Sequence, residues 1–233
     1  MSNDSSSLGP DTSVLVAGAT GGLGAAIAAE LHGRGVTPTL VGRDEARLAA
    51  IATPGPRRAL DLRLPEAARE AVDFALAERG ALDVVVNAVG VVAFGPATEL
   101  EVDVLEELFL TNTFAPIMLA VAALPRMRPG GTIVNLSGVI AEQNLPGMAA
   151  YGASKAALRS FDEALAREAR RAKVRVIDAR PPHTETGLAT RPIAGTAPRM
   201  PEGLAPAQVA TVIVDAVAGD AKDLPSSAFQ SAD

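Results

Sequence analysis

Tyr151 and Lys155, the ends of the run YGASK, combine residue type and spacing in a way that suggests chemistry. Tyr151 is the only tyrosine of the chain and Lys155 one of three lysines. Four residues apart on a helix, they share one face. A free phenol titrates near 10, and a nearby ammonium favours its anion, so the expectation is that Lys155 lowers the Tyr151 pKa and that the pair moves a proton. A lone aromatic in an alanine-rich helix would otherwise be core filling. Asn112 stands in the middle of a long helical stretch, where its side chain competes for backbone hydrogen bonds and needs a compensating role. Of the two histidines, His32 lies near a helix end and reads as a surface residue, while His183 follows two prolines in a loop. There is no cysteine, which removes disulfides, thiolate metal sites and a cysteine nucleophile together. No metal site is read.

A second cluster lies near the start of the chain. The run GATGGLG, Gly18 to Gly24, follows a β-branched segment and precedes an alanine-rich one. Gly18, Gly22 and Gly24 allow a tight turn and a close approach to a pyrophosphate, whose charge the following helix N-terminus would hold. The end of the second strand selects the dinucleotide. A carboxylate there would bind the ribose 2′-hydroxyl of NAD, but the chain has Gly42 followed by Arg43, whose planar fork suits a phosphate. NADP(H) is therefore the preferred cofactor, with NAD(H) as the alternative. Asp44 reads as the cap of the next helix.

The elements that must position these residues form a single pattern. In 233 residues, 48% are hydrophobic and 21% charged, as in an ordinary globular protein, and a formal net charge of −6 argues against nucleic acid as a partner. Short β-branched runs alternate with helical segments, which predicts strands near 13–18, 37–42, 57–60, 82–87, 131–137 and 174–179, with a weak seventh near 224–228. Helices are expected near 22–34, 45–52, 65–79, 99–127, 150–171 and 206–218. The strands lack polar alternation, as expected of a sheet covered on both faces. The fold class is thus α/β, a single doubly wound domain with a mostly parallel sheet of six or seven strands. Residues 1–11 read as a disordered polar tail, 12–222 as the domain and 223–233 as a short terminal strand or tail. The proline-rich segment 181–206 reads as a lid. The apolar stretch 113–127 looks too short for a bilayer and is interrupted by prolines, so no membrane partner is expected. The start of the chain has no signal character, and the cytoplasm is the default location.

Taken in order, GATGGLG, VNAVG, TNTF, IVNLSG and YGASK make the chain resemble the short-chain dehydrogenase/reductase family over roughly residues 12–218. The resemblance implies a Rossmann-type fold in which Thr20, Gly21 and Leu23 join the glycines at the cofactor. It places Asp61 and Leu62 at the adenine, and Asn87, Ala88 and Gly90 at the end of the fourth strand. Pro181, Thr184 and Thr186 fall near the nicotinamide. It further implies that Asn112 holds a water linking Lys155 to solvent, that Lys155 also holds the nicotinamide ribose, and that Tyr151 exchanges the proton of a carbonyl/alcohol pair.

Three departures stand against that pattern. The family's serine, thirteen residues before the tyrosine, is Gly138 here. Ser137 is adjacent, but neighbouring strand residues point to opposite faces, so it serves only if the strand end bulges. PPHTET replaces the family's Pro-Gly-x-x-x-Thr, with Pro182 for glycine, and His183 or Thr184 becomes a candidate for the lost polar contact. The chain end KDLPSSAFQSAD has no glycine, which favours a homodimer, built by the two long helices, over a homotetramer. The expected function is an NADP(H)-dependent oxidoreductase of ketoreductase type acting on a mainly apolar small molecule. Two alternatives are an epimerase or dehydratase of the same fold and a cofactor-binding protein with little catalysis.

Overall fold

A computed structural model describes residues 8–230. Strands β1 (Val14–Ala17), β2 (Thr39–Gly42), β3 (Arg57–Ala59), β4 (Val84–Asn87), β5 (Thr132–Leu136) and β6 (Arg175–Ala179) form one sheet in the order β3-β2-β1-β4-β5-β6. Every pair is parallel. Helices α1 (Gly22–Gly33), α2 (Glu45–Ala49), α3 (Ala67–Arg79), α4 (Val102–Phe109), α5 (Ala115–Ala123), α6 (Ala149–Glu168) and α7 (Pro206–Ala218) make the connections. The order reverses between β1 and β4, which opens a crevice at the carboxyl ends of those strands.

Local chemistry sets the helix ends. Asp44 caps α2 by accepting the Arg47 N–H at 2.9 Å, as its position suggested. α3 stops at Gly80, which takes the left-handed conformation with φ 71°. α7 begins at Pro206, and Gln208 reaches back to the Ala205 N–H at 3.0 Å. The expected helix 99–127 is one continuous helical stretch, Val102–Arg126, with a π-helical segment at Leu110–Phe114 inside it. By length and composition that stretch could cross a membrane, in contrast to the shorter apolar run read from the sequence, yet half of its most apolar window is buried against the rest of the chain.

The expected seventh strand is not formed. Leu224 makes a single parallel bridge to Ala179, with its N–H on Asp178 O and its carbonyl taking the Arg180 N–H. The next donor on the β6 side would be Pro182, which has no N–H, and the chain turns after Pro225 into a short 3₁₀ helix at Ser226–Phe229. The sheet therefore has six strands. Of the tail read as 1–11, residues 1–7 lie outside the described residues; Leu8 packs against the core, and Pro10 O accepts from Arg79 at 2.9 Å. The last three residues of the 223–233 segment likewise lie outside.

The two faces of the sheet differ. Under α1 and α7, Val14, Val16, Val86, Val134, Leu136 and Ile177 form an apolar cluster with Ile27 and Ile213. Under α3, α5 and α6, Leu15, Val85, Ile133 and Val176 begin the same way. Two residues further along, that second face becomes polar. Asn87, Asn135 and Asp178 are register partners across β4, β5 and β6, and all three are buried.

Candidate active site

The crevice is a cavity of about 520 Å³ at the carboxyl ends of the strands. Its first wall is the turn from β1 into α1. Gly24 lies under this turn and not in the wall: a Cβ there would fall 2.2 Å from Gly18 O, so the close approach of helix to loop requires glycine. Gly18, Thr20, Gly21, Gly22 and Leu23 face the cavity, and no side chain caps the α1 N-terminus. Its free N–H groups and dipole favour an anion. At the end of β2, a Cβ on Gly42 would press against the Thr20 side chain at 3.0 Å, a packing reason for the missing carboxylate. Arg43 lines this end, and Arg47 joins it while donating to Thr20 O at 2.7 Å.

Asp61 and Leu62 lie beside them. The Asp61 carboxylate is held on both oxygens by Arg63, whose other arm reaches Glu107 at 2.7 Å. That bond to Arg63 keeps the Asp61 pKa below the usual range, with burial opposing it. Ala88 and Gly90 also face the cavity, whereas Asn87 lies beneath it with both amide atoms buried and unpaired.

A further wall is the first turns of α6. Tyr151 and Lys155 both face the cavity, as their spacing predicted. Lys155 Nζ donates to Leu136 O at 2.8 Å. Burial lowers the Lys155 pKa to about 8, against the pull of Asp178 and Asp162. Burial alone raises the phenol of Tyr151 to about 12. The expected lowering of Tyr151 by Lys155 is thus not found in this structure, because desolvation disfavours both charged forms.

Asn112 occupies the middle of the π-helical segment and is fully buried. Its Oδ1 accepts the Val91 N–H at 2.8 Å, and its Nδ2 donates to Val91 O and to Ser154 Oγ, each at 3.0 Å. Ser154 Oγ donates in turn to Tyr151 O at 2.8 Å. Asn112 therefore ties the segment after β4 to the turn of α6 that carries Tyr151 and Lys155. Both of its N–H donors are spent on protein, which leaves only an Oδ1 lone pair for the expected water. A Cβ on Gly90 would stand 3.3 Å from Asn112 Oδ1 and 3.4 Å from Lys155 Nζ, so the bare glycine lets these two groups approach.

Gly138 has φ 83°, and a Cβ there would meet only Pro181 O, at 3.9 Å. The place of the family's serine is open space in the cavity wall. Ser137 does not fill it: the residue borders the cavity, but its hydroxyl is buried and donates to Asp178 Oδ1 at 2.5 Å. Pro181, Thr184 and Thr186 line the cavity, and Thr184 Oγ1 is turned to Pro182 O at 2.9 Å. His183 is outside the cavity wall, with Nε2 3.2 Å from Glu185, whose carboxylate also accepts the Gly203 N–H. The structure thus brings neither His183 nor the Ser137 hydroxyl to Tyr151. The sequence reading passed over Arg47, Arg63 and Arg191 in the wall. Only Arg47, one helical turn beyond Arg43, had a spacing that could have signalled it.

Below this wall lies the polar layer. Asn135 Nδ2 donates to Asp162 Oδ1 at 2.6 Å, and Asp162, two turns along α6 from Lys155, is 2% exposed. Burial raises its pKa well above the ordinary value, although the Asn135 bond opposes this. Arg180 is 4% exposed and gathers Asp178, Asp223 and Glu142, and Glu142 also accepts from Ser226. Burial would lower the Arg180 pKa, but its hydrogen bonds to those three carboxylates raise it overall.

The comparisons with known proteins agree with this fold. Residues 12–194 match the family described as short chain dehydrogenase. A dehydrogenase/reductase SDR family protein 7-like protein of Anopheles gambiae is 30% identical over 232 aligned residues, covering 91% of this chain and 73% of its own. The cyclic-di-GMP-binding biofilm dispersal mediator protein of Escherichia coli is 34% identical, covering 77% of each chain. A short chain dehydrogenase from Burkholderia cenocepacia, solved in complex with NADP, superposes with a TM-score of 0.82 at 26% identity, over 96% of this chain and 99% of that one. The chain belongs to the short-chain dehydrogenase/reductase family of oxidoreductases.

Proposed function

We propose that this protein is an NADP(H)-dependent oxidoreductase that interconverts a carbonyl and a secondary alcohol on a mainly apolar small molecule. The observation that carries the reading is the joint placement of Tyr151 and Lys155 on the cavity wall, opposite a glycine turn and an uncapped helix N-terminus. The residues present fit an anionic dinucleotide. Arg43, Arg47 and Arg191 line the cavity without a carboxylate partner among the described residues, and the α1 N-terminus faces it. Arg43 and Arg47 would hold the 2′-phosphate. When bound, the cofactor supplies or accepts the hydride.

The chain's own residues do the rest. Tyr151, protonated at neutral pH as any phenol is and held further toward that form by burial, gives its proton to the substrate oxygen in the reductive direction. Lys155 holds the ribose beside it, and Asn112 fixes the turn of α6 that aims both. Open space at Gly138 admits substrate atoms where a hydroxyl would stand in other family members. A second, separate cavity of about 280 Å³ is lined by Phe94, Leu100, Val104, Met148 and Ala150 together with Glu99 and Glu101, and its apolar side chains support an apolar substrate body. Phe114, at the end of the π-helical segment, and Met118 and Val121 on α5 form an exposed apolar stripe, which supports a homodimer; a cytoplasmic location is part of the same proposal.

Tyr151→Phe tests the reading. NADPH affinity should stay within about threefold and turnover over a panel of apolar ketones should fall by at least about 10²; retained turnover would refute the role. The open Gly138 and the engaged Ser137 hydroxyl favour one second reading, a cofactor-binding protein with little catalysis. Tight NADPH binding by the native chain with no turnover on any carbonyl would select it.

A further inference from the structure

Arg191, in the segment read as a lid, has a position that the proton-transfer chemistry does not use. Its Nε donates to Gly187 O at 3.0 Å, and its Nη2 stands 3.5 Å from Thr186 O. That same Thr186 carbonyl presses on the start of α1: a Cβ on Gly22 would lie 2.7 Å from Thr186 O. One carbonyl group therefore separates the guanidinium from the first residue of the helix whose uncapped N-terminus faces the cavity. A guanidinium carries five N–H donors in a rigid fork, and here only Nε is well used. Arg191 has no carboxylate within ion-pair distance among the described residues, although it is exposed and free to find one. Arg63, in the same cavity wall, is by contrast fully engaged by Asp61 and Glu107.

The lid around Arg191 is fastened at both sides. Ile193 N–H donates to Val92 O and Phe94 N–H to Ala194 O, at 2.9 and 3.0 Å. Upstream, Glu185 N–H donates to Leu204 O and Leu204 N–H to His183 O, both at 2.9 Å. The glutamate that engages His183 also holds Gly203, so the histidine is part of this fastening. Arg191 hangs between two anchored points, in the cavity wall, one carbonyl from the α1 N-terminus and with donors to spare.

We propose that Arg191 is a cofactor-positioning residue that closes over the pyrophosphate of the dinucleotide, opposite the α1 N-terminus, while Arg43 and Arg47 hold the 2′-phosphate at the far end. A diphosphate bridge is then contacted from both sides, by backbone N–H groups below and by a charged fork above. The inference rests on the nicotinamide dinucleotide reading above and adds a residue to it.

The experiment measures equilibrium dissociation constants by calorimetry, without substrate, for NADPH, NADH and adenosine 2′-monophosphate. The variants are Arg191→Ala, Arg191→Lys and Arg43→Ala, each checked for an unchanged Tm. Arg191→Ala should weaken NADPH and NADH by the same factor, roughly 10-fold to 100-fold, and leave adenosine 2′-monophosphate within twofold. Arg191→Lys should recover part of the loss, because charge returns without the fork. Arg43→Ala should weaken NADPH and adenosine 2′-monophosphate and spare NADH. If Arg191→Ala leaves NADH affinity within twofold, or weakens adenosine 2′-monophosphate as much as NADPH, the assignment of Arg191 is wrong while the cofactor reading stands. If the native chain binds none of the three, the cofactor reading itself falls and this one with it.

Discussion

The two faces of the sheet are built from the same strands, yet they solve different problems. The face under α1 and α7 has Thr132 and Arg175, bonded to each other, beside Val14 and Val84 at its start, and is apolar from there through Val16, Val86, Val134 and Ile177 to Leu136 and Ala179. The face under α3, α5 and α6 is apolar only as far as Val85, Ile133 and Val176, then turns to Asn87, Asn135, Asp178, Ser137 and Arg180. Among the described residues, four of the six buried side-chain atoms without a partner belong to that layer: both of Asn87, one of Asn135 and one of Asp162. Unpaired buried polar atoms cost stability, and their concentration directly beneath Lys155 shows where the fold gives up packing for the site. The first face stores stability, and the second spends some of it to surround a lysine and a tyrosine with fixed dipoles.

Arg180 is where the contrast breaks most easily. Arg180→Met would leave Asp178 buried with only Ser137 as a partner and would release the Glu142 loop and the Asp223 segment. A loss of about 3–5 kcal/mol is expected in chemical denaturation, because an uncompensated charge stays behind. A loss below about 1 kcal/mol would show that the network is ornamental to stability.

Lys155→Met should sharpen the contrast by its dependence on pH. The folded Lys155 pKa of about 8 lies below the ordinary value of 10.5, so its contribution to stability is complete above pH 10.5 and is lost as pH falls through 8. The methionine variant should therefore be more stable than the native chain below pH 8, by up to about 3 kcal/mol, and gain nothing above pH 10.5. Thermal melts across pH 6–11 read this directly, and a gain that does not vary with pH would contradict it.

Ile27→Val is the control on the other face. Ile27 is fully buried among apolar neighbours only, so the loss of one methylene should cost about 1 kcal/mol at every pH. A cost that varies between pH 6 and 11 would mean that the two faces are not as separate as their composition indicates.

Much of this was legible along the chain. The six strands and the helices fall within a few residues of the positions that hydrophobic pattern and turn residues predict, because parallel strands buried on both faces and amphipathic helices leave local signatures. Tyr151, Lys155 and the glycine turn were legible for the same reason, since each depends on near neighbours. The failures turned on surroundings that the local pattern does not report. The strand expected near 224–228 stopped at one bridge, because a ladder depends on its partner and the next donor beyond β6 is Pro182. His183 turned to Glu185 and Gly203, twenty residues further on. The lowering of the Tyr151 phenol gave way to burial, which spacing alone does not report.

By itself the sequence determined the order of elements, the placing of Tyr151 and Lys155 on one helix face and the glycine turn before α1, because backbone geometry and i to i+4 neighbourhood are local properties. Only the tertiary structure decided that the space beside Gly138 stays open, that the Ser137 hydroxyl is given to Asp178, and that Arg191 comes within one carbonyl of the α1 N-terminus. Each of those depends on segments tens to more than a hundred residues apart being pressed together, and on the desolvation that follows when they are.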